Sequence, residues 1–457
     1  MAKEEIFQEV DQLKEVLHKS VKTIFAHPET GGKEIFSANY FRSELEKEGF
    51  TIHNTDKMEH TFYAEYGQGK PVIAILGEYD ALPGLSQKPC GHKEAVEEGQ
   101  PGHGCGHNLL GSAALVGAIA SKRYLEKNKK TGTIRFYGCP EEELLSGKVK
   151  MIRLGMFDGC DLALSWHPMD FNCTFEESYL ANVSVRFVFH GKTAHAAVAP
   201  WQGRSALDAV ELMNVGVNYL REHIIDSARV HYSTSCGDTP PNVVPDLASS
   251  WYFIRAPHMA DVLSILERVK KVAQVAAMMT ETSVDIDVEY GCWEMKRSKS
   301  MTDVCFENLQ AAPSIEFTED ELEFAKALQA TLSPQTVASK EALYGVKDCA
   351  MAIETSDRDF WQRCYMTAST DTGDVSYQMP MSAFTTSCWP VGVVPHTWQA
   401  AAGSGASIGE KGALHAAYVL AGQAFDFLNH PELVEKAQKE FDANQSIQYQ
   451  SILNHFE

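Results

Sequence analysis

Apolar residues recur at helical spacing over residues 4–25, at Ile6, Val10, Leu13, Leu17, Val21 and Ile24, and a second helix is predicted over 35–48, stopped by Gly49. The rhythm then changes. Pro71-Val-Ile-Ala-Ile-Leu-Gly77 is a continuous apolar run, the mark of a strand buried on both faces of a parallel sheet, and it ends in Glu78-Tyr79-Asp80. Further strands are predicted at Thr133-Ile-Arg-Phe-Tyr137, at 161–166 and at 383–389. Between the first two, residues 109–125 mix small and apolar side chains as a buried helix does.

A different pattern fills the middle of the chain. Val183, Val185, Phe187 and Phe189 alternate as a half-buried strand; a helix over 205–224, strands at 229–235 and 248–255, a helix over 261–279 and a strand at 282–289 follow. Strand, helix, strand, strand, helix, strand is the ferredoxin-like order. The expected fold is therefore α/β. A mostly parallel-sheet catalytic domain is formed by 1–180 and 291–457, and a ferredoxin-like α+β lid or dimerisation domain, 181–290, is inserted in it. Residues 291–345 are polar and give no clear element; 414–428 reads as a closing helix, followed by a loosely held helical tail.

Candidate chemistry collects where the predicted strands end. Asp80 follows one strand, Glu141, Glu142 and Glu143 a second, His167 a third and His396 a fourth, while Pro101-Gly-His-Gly-Cys-Gly-His-Asn108 opens the helix between the first two. Alone, Cys105-Gly-His107 is equally a flexible turn with a buried thiol. In open α/β sheets, however, ligands bind outside the carboxyl ends of the strands, so these side chains are expected in one crevice. Cys105, His107, Glu143, His167 and His396 offer sulfur, nitrogen and oxygen donors, enough for two divalent ions if one group bridges. Thiolate and imidazole suit zinc; carboxylate and imidazole also suit manganese or cobalt. In a run of three glutamates, one can bind metal while its neighbour takes a proton from an attacking water and returns it to a leaving amine, although such a run is also an ordinary solvated helix start. In the inserted segment, His195 can stabilise a developing oxyanion and Asn242 and Arg255 can hold a substrate carboxylate. A capping residue, a turn residue and a surface ion pair are the alternative readings of these three.

Charge narrows the partners. The 457 residues carry 61 acidic against 40 basic side chains, a formal charge of -21, which argues against nucleic acid or an anionic membrane surface. No run approaches the length of a membrane span and no apolar leader opens the chain, so a cytoplasmic protein is expected. The 11 cysteines show no disulfide framework. No Cys-x-x-Cys occurs, which excludes a zinc deaminase.

Several stretches together carry a resemblance to a known family: Gly77-Glu-Tyr-Asp-Ala-Leu82, Gly102-His-Gly-Cys-Gly-His-Asn-Leu-Leu-Gly111, Phe136-Tyr-Gly-Cys-Pro140, Trp166-His-Pro168, Gly203-Arg-Ser-Ala-Leu-Asp-Ala209, Arg229-Val-His-Tyr232, Ile254-Arg-Ala-Pro257, Asp374-Val-Ser376 and His396-Thr-Trp-Gln399. They resemble the Cys-Gly-His branch of the M20 metallopeptidases and amidohydrolases. The resemblance implies a metal-dependent amidohydrolase with Cys105, His107, Glu143, His167 and His396 as ligands of two divalent ions, Glu142 as general base and Asp80 orienting a ligand. It also implies a homodimer through the lid, with His195 acting in the partner's site. The implied substrate is a small-molecule amide joining an acyl, aroyl or aminoacyl group to an amino acid, p-aminobenzoyl-glutamate-like in kind. The alternatives are a dipeptidase of the same family and a catalytically weak metal-binding subunit serving a second hydrolase subunit. One departure stands out: Leu144 and Leu145 occupy positions where the family usually has glycines.

Overall fold

The computed structural model describes residues 3–174, 179–352, 367–444 and 447–453. The chain separates into two compact units. One comprises Met1–Glu177, Lys296–Tyr365 and Val375–Tyr449; the other comprises Ser178–Met295, Met366–Asp374 and Gln450–Glu457. In chain order the strands are β1 (Thr51–Asn54), β2 (Phe62–Gln68), β3 (Val72–Glu78), β4 (Gly132–Cys139), β5 (Leu162–Met169), β6 (Cys173–Thr174), β7 (Ala181–His190), β8 (Arg229–Ser235), β9 (Leu247–Ala256), β10 (Ser283–Cys292) and β11 (Met381–Ser387).

The first unit holds a seven-stranded sheet in the order β1-β2-β4-β3-β5-β11-β6. Its four central strands, β4, β3, β5 and β11, are mutually parallel, and the strands at both edges are antiparallel. Every residue of β3 is buried, as its unbroken apolar run requires. The helix His107–Asn128 packs on β3 and against the helix Ser407–Asn429, and both are buried along most of their length. The edge strands β1 and β6, and β2 next to β1, lie outside the strands predicted from the hydrophobic pattern. Residues 4–25 form two helices, Glu4–Asp11 and Lys14–Phe25, because Leu13 leaves helical geometry at ψ 7°.

Residues 291–345 fold into three helices, Lys299–Ala311, Glu319–Gln329 and Pro334–Tyr344. Caps mark the last two more clearly than apolar periodicity does. Thr318 and Glu321 form a capping box, and Ser333 caps a helix that opens with Pro334 and buries no residue.

In the second unit the sheet order is β10-β7-β9-β8, antiparallel throughout, with helices Ala206–Leu220 and Met259–Thr280 packed on it. This is the ferredoxin-like arrangement. Two chain segments expected with the first unit group with this one instead. The N–H of Leu180 bonds to the Ala368 carbonyl at 2.9 Å, and Trp293 donates from its backbone to Asp374 and from its indole to the Gln450 carbonyl, both at 2.9 Å. Such returns join residues far apart in sequence, so no local pattern announces them.

One glycine sets the start of the long central helix. Gly106 sits at φ 76°, and a Cβ there would lie 2.7 Å from the Pro168 ring and 3.0 Å from Trp389. Gly106→Ala is expected to lower stability by at least about 1 kcal/mol, from the left-handed conformation alone. Denaturant unfolding checks this; an unchanged midpoint would contradict the reading.

Candidate metal and active site

The first unit brings together seven of the side chains singled out in the sequence. Asp80 lies two residues beyond β3, and Cys105 lies two residues before the first residue of the central helix, His107. Glu142 and Glu143 occupy a 3-10 turn, Glu142–Leu144, after β4. His167 lies within β5, near its carboxyl end, rather than beyond the strand. His396 follows β11 in a loop, at φ 66°, with its N–H bonded to the Gly104 carbonyl at 2.8 Å. That bond ties the fourth strand's loop to the Cys105 loop.

Their donor atoms form two overlapping groups. Cys105, His107 and His167 make one and Cys105, Glu143 and His396 the other, each with donor atoms within 4.8 Å of one another. Cys105 Sγ is 3.4 Å from His167 Nε2, and His396 Nε2 is 3.2 Å from Glu143 Oε2. Two buried atoms, His107 Nε2 and Glu143 Oε1, have no hydrogen-bond partner among the described residues. Buried polar atoms of this kind are costly unless something occupies them, and a cation fits this set of soft and hard donors. Asp80 orients two of the donors at once. Its Oδ1 meets His107 Nδ1 at 2.8 Å and its Oδ2 accepts the Glu143 N–H at 2.8 Å.

Each of the three glutamates has different partners. Glu141 accepts hydrogen bonds from His60 Nε2 at 2.8 Å, Ser146 Oγ at 2.6 Å and Lys150 Nζ. Burial alone would raise its pKa, yet these partners hold it at about 2, so it is a structural carboxylate. Glu143 turns toward Cys105 and His396. Glu142 belongs to neither overlapping group; its Oε2 is 3.8 Å from His107 Nε2. Burial pushes the Glu142 carboxyl well above its usual range, reinforced by the charges of Glu78 and Glu143. The imidazole of His167 is pushed down to about 4 by burial and by His107. His103, in the same loop, points away: its Nε2 faces the Ile24 carbonyl at 3.1 Å, and burial lowers its pKa to about 3.

Two residues were not read as candidates in the sequence. Glu78, the last residue of β3, lies 3.4 Å from His107 Nε2 and forms a donor group with His107 and Glu142. Lys148, with no exposed side-chain surface, pairs with Glu78 at 2.6 Å. A carboxylate ending a fully apolar strand was a usable signal for Glu78. Nothing in the polar stretch around Lys148 marked it as buried. The departure at Leu144 and Leu145 also has a local account. Leu144 packs over Gly31, where any Cβ would lie 2.9 Å from it, and Leu145 is buried at φ 56°.

His195, Asn242 and Arg255 lie in the second unit. His195 bridges to Val243, and the Ala196 N–H bonds to the Asn242 carbonyl at 3.0 Å. His195 Nδ1 accepts from the Ala197 and Val198 N–H groups at 3.2 Å, which leaves Nε2 carrying the hydrogen of the neutral ring. Arg255 on β9 pairs in register with Arg229 on β8, so the two guanidinium side chains share one face of the sheet.

Comparison with known proteins bears on the family and the fold. Residues 74–210 match Peptidase family M20/M25/M40, and residues 180–279 match a peptidase dimerisation domain. A p-aminobenzoyl-glutamate hydrolase subunit from Escherichia coli (strain K12) is 43% identical over 433 residues, covering 91% of this chain and 90% of the relative. The chain belongs to the M20 peptidase family. It is a hydrolase of that family, with a catalytic and a dimerisation domain. The fold is shared with an aminobenzoyl-glutamate utilization protein from Klebsiella pneumoniae, at TM-score 0.63 and 17% identity, over 93% of this chain and 98% of that one. It is also shared with a Bacillus subtilis protein described as a dinuclear metal binding peptidase from the M20 family, at TM-score 0.59 and 17% identity, over 92% and 99%. No helix among the described residues is long and apolar enough to cross a membrane.

The two-way grip of Asp80 generates a test. Asp80→Asn keeps the shape but sets an NH2 group against either the imidazole or the Glu143 N–H, so metal affinity is expected to fall about 10- to 100-fold. Competition with a chromophoric chelator measures it. An unchanged affinity would remove Asp80 from its orienting role.

Proposed function

We propose that this M20 hydrolase cleaves the amide bond between an aroyl or acyl group and an amino acid, p-aminobenzoyl-glutamate or a close analogue, using two divalent cations. The observation that carries the reading is that two donor groups share Cys105 while Glu142 stands beside them and outside both. Cys105, His107, Glu143, His167 and His396 are the residues that would hold the ions, with zinc or manganese as the metals. The cations would supply Lewis-acid polarisation of the scissile carbonyl and acidify a water. Glu142 takes the proton of the attacking water and delivers it to the departing amine, a role suited to a carboxyl whose pKa is raised by burial.

The second unit supports the substrate side. With Nδ1 engaged by two backbone N–H groups, His195 presents Nε2–H as a donor for the oxyanion. Arg255 and Arg229 side by side suit the two carboxylates of a glutamyl product, and Asn242 lies in the turn just before Val243, which bridges to His195. Self-association is proposed through this unit. The matched dimerisation domain, the edge strand β8 and the exposed apolar face of helix Ala206–Leu220, at Leu212, Val215 and Tyr219, support it.

The metal-loaded protein, assayed without any other subunit, is expected to release p-aminobenzoate from p-aminobenzoyl-glutamate. Preference for dipeptides, or inactivity until a second subunit is added, would overturn the assignment. Glu142→Gln is expected to keep its metal while losing about 100- to 10,000-fold in turnover. Joint loss of metal and activity would mean that Glu142 is a ligand. Finally, Glu142→Ala and His195→Ala, each inactive alone, are expected to recover up to roughly a quarter of normal activity after subunit exchange, because each mixed dimer regains one intact site. No recovery despite proven exchange would place His195 outside the partner's site.

A further inference from the structure

The chain contains the tripeptide Cys-Gly-His twice: at Cys105-Gly-His107, in the candidate catalytic centre, and at Cys90-Gly-His92, in the loop between Asp80 and that centre. The earlier copy is followed by Glu94. The donor atoms of Cys90, His92 and Glu94 lie within 4.8 Å of one another. Cys90 Sγ is 4.0 Å from His92 Nε2, which is 3.0 Å from Glu94 Oε2. Around a tetrahedral zinc ion with ordinary bond lengths, sulfur–nitrogen and nitrogen–oxygen separations come to about 3.6 and 3.4 Å, so each gap needs to change by only about 0.4 Å.

The loop is held from inside. Gln87, 2% exposed, donates to the Lys88 and His92 carbonyls, each at 2.9 Å, and accepts the Glu94 N–H at 3.1 Å. Lys88 N–H bonds to the Glu94 carbonyl at 2.8 Å, and Gly91 lies so close to Ala327 that a Cβ there would be 2.8 Å from it. A loop already fixed by a buried amide loses little further entropy when its side chains close on an ion. Lys88 Nζ takes Glu94 Oε1 at 2.5 Å, leaving Oε2 beside the imidazole. A ligating carboxylate is commonly hydrogen-bonded through its other oxygen, so this ammonium is compatible with a cation.

We propose that Cys90, His92 and Glu94 form a further cation site, separate from the catalytic donors, taking a borderline-soft divalent ion such as zinc with its fourth position open to water. The side chains of His92 and Glu94 are 72% and 43% exposed, so the ion enters from solvent without opening the fold. Its effect is to pin the segment joining Asp80 to Cys105, whose ends already meet at the Leu82–Gly102 bridge. None of its three donors belongs to the overlapping catalytic groups. The inference therefore stands or falls apart from the proposed reaction.

The test uses the full-length protein with its catalytic ions in place. Excess Zn2+ is added and removed by desalting, bound metal is counted by elemental analysis, and alkylation of Cys90 by iodoacetamide is followed by peptide mass spectrometry. Wild type is expected to retain about one ion per chain more than the Cys90→Ser, His92→Ala double variant. Zn2+ at ten times the dissociation constant should slow Cys90 alkylation about tenfold, since only unliganded thiolate reacts. That protection should weaken in both His92→Ala and Glu94→Gln. Equal ion counts in wild type and double variant, or protection that survives either single change at full strength, overturns the proposal.

Discussion

Asp80 accepts a hydrogen bond with each carboxylate oxygen, one from the His107 imidazole and one from the Glu143 backbone, and no solvent reaches the group. A buried carboxylate tolerates that environment only while both oxygens are satisfied, so its two partners are held in fixed relation to each other. One of them opens the central helix and the other lies in the turn after β4. The parallel register of β3 and β4 brings Glu78 level with Cys139 and thereby sets Asp80 beside that turn. Donor positions thus follow from sheet register rather than from the loops alone.

Charge balance decides what each acid near the centre does. Six carboxylates, Glu34, Glu78, Asp80, Glu141, Glu142 and Glu143, lie in a small buried volume of the first unit. Lys148 neutralises Glu78 and Lys150 neutralises Glu141, which also hydrogen-bonds to His60. Burial opposes the ionised form of Glu78, but the Lys148 charge, followed by His107 and His167, outweighs it and keeps its pKa low. Among the described residues Glu142 has no such cation against it in a salt bridge of comparable length, and its neighbours' charges add to the effect of burial. A proton carrier next to a dication site needs a carboxyl whose proton affinity is raised in this way.

The second unit contributes a different kind of order. Its helices cover the sheet face carrying Val185, Phe187, Tyr252 and Ile254, and the opposite face displays Arg229, His231, Trp251 and Arg255. That face is divided in charge: Arg229 and Arg255 lie together on β8 and β9, while Asp285 and Asp287 lie on β10 at the other edge. Burial, followed by the charges of Arg255, Arg221 and Arg229, depresses the His231 pKa, so that imidazole adds no charge of its own at neutral pH. The basic part of the face, on β8 and β9, rests on guanidinium groups, which hold their charge at any physiological pH and match carboxylates in pairs.

The sequence alone determined whatever depends on neighbours within a few residues. A fully buried strand must be apolar throughout and a half-buried one must alternate, so β3, β7 and β9 could be read directly, as could the ferredoxin-like order and the placing of Asp80, Cys105, His107 and His396 near strand or helix ends. Resemblance added roles to positions that pattern could only nominate. Tertiary structure alone decided which of three consecutive glutamates is tied to His60 and Lys150, which one faces His396 and which is left over, because backbone at φ 57° at Glu141 turns each in a different direction. It also decided the burial of Lys148 against Glu78 and the return of 367–374 and 450–453 to the second unit. Those outcomes are contacts between residues tens to hundreds of positions apart, and the free energy that selects them exists only once both sides are packed.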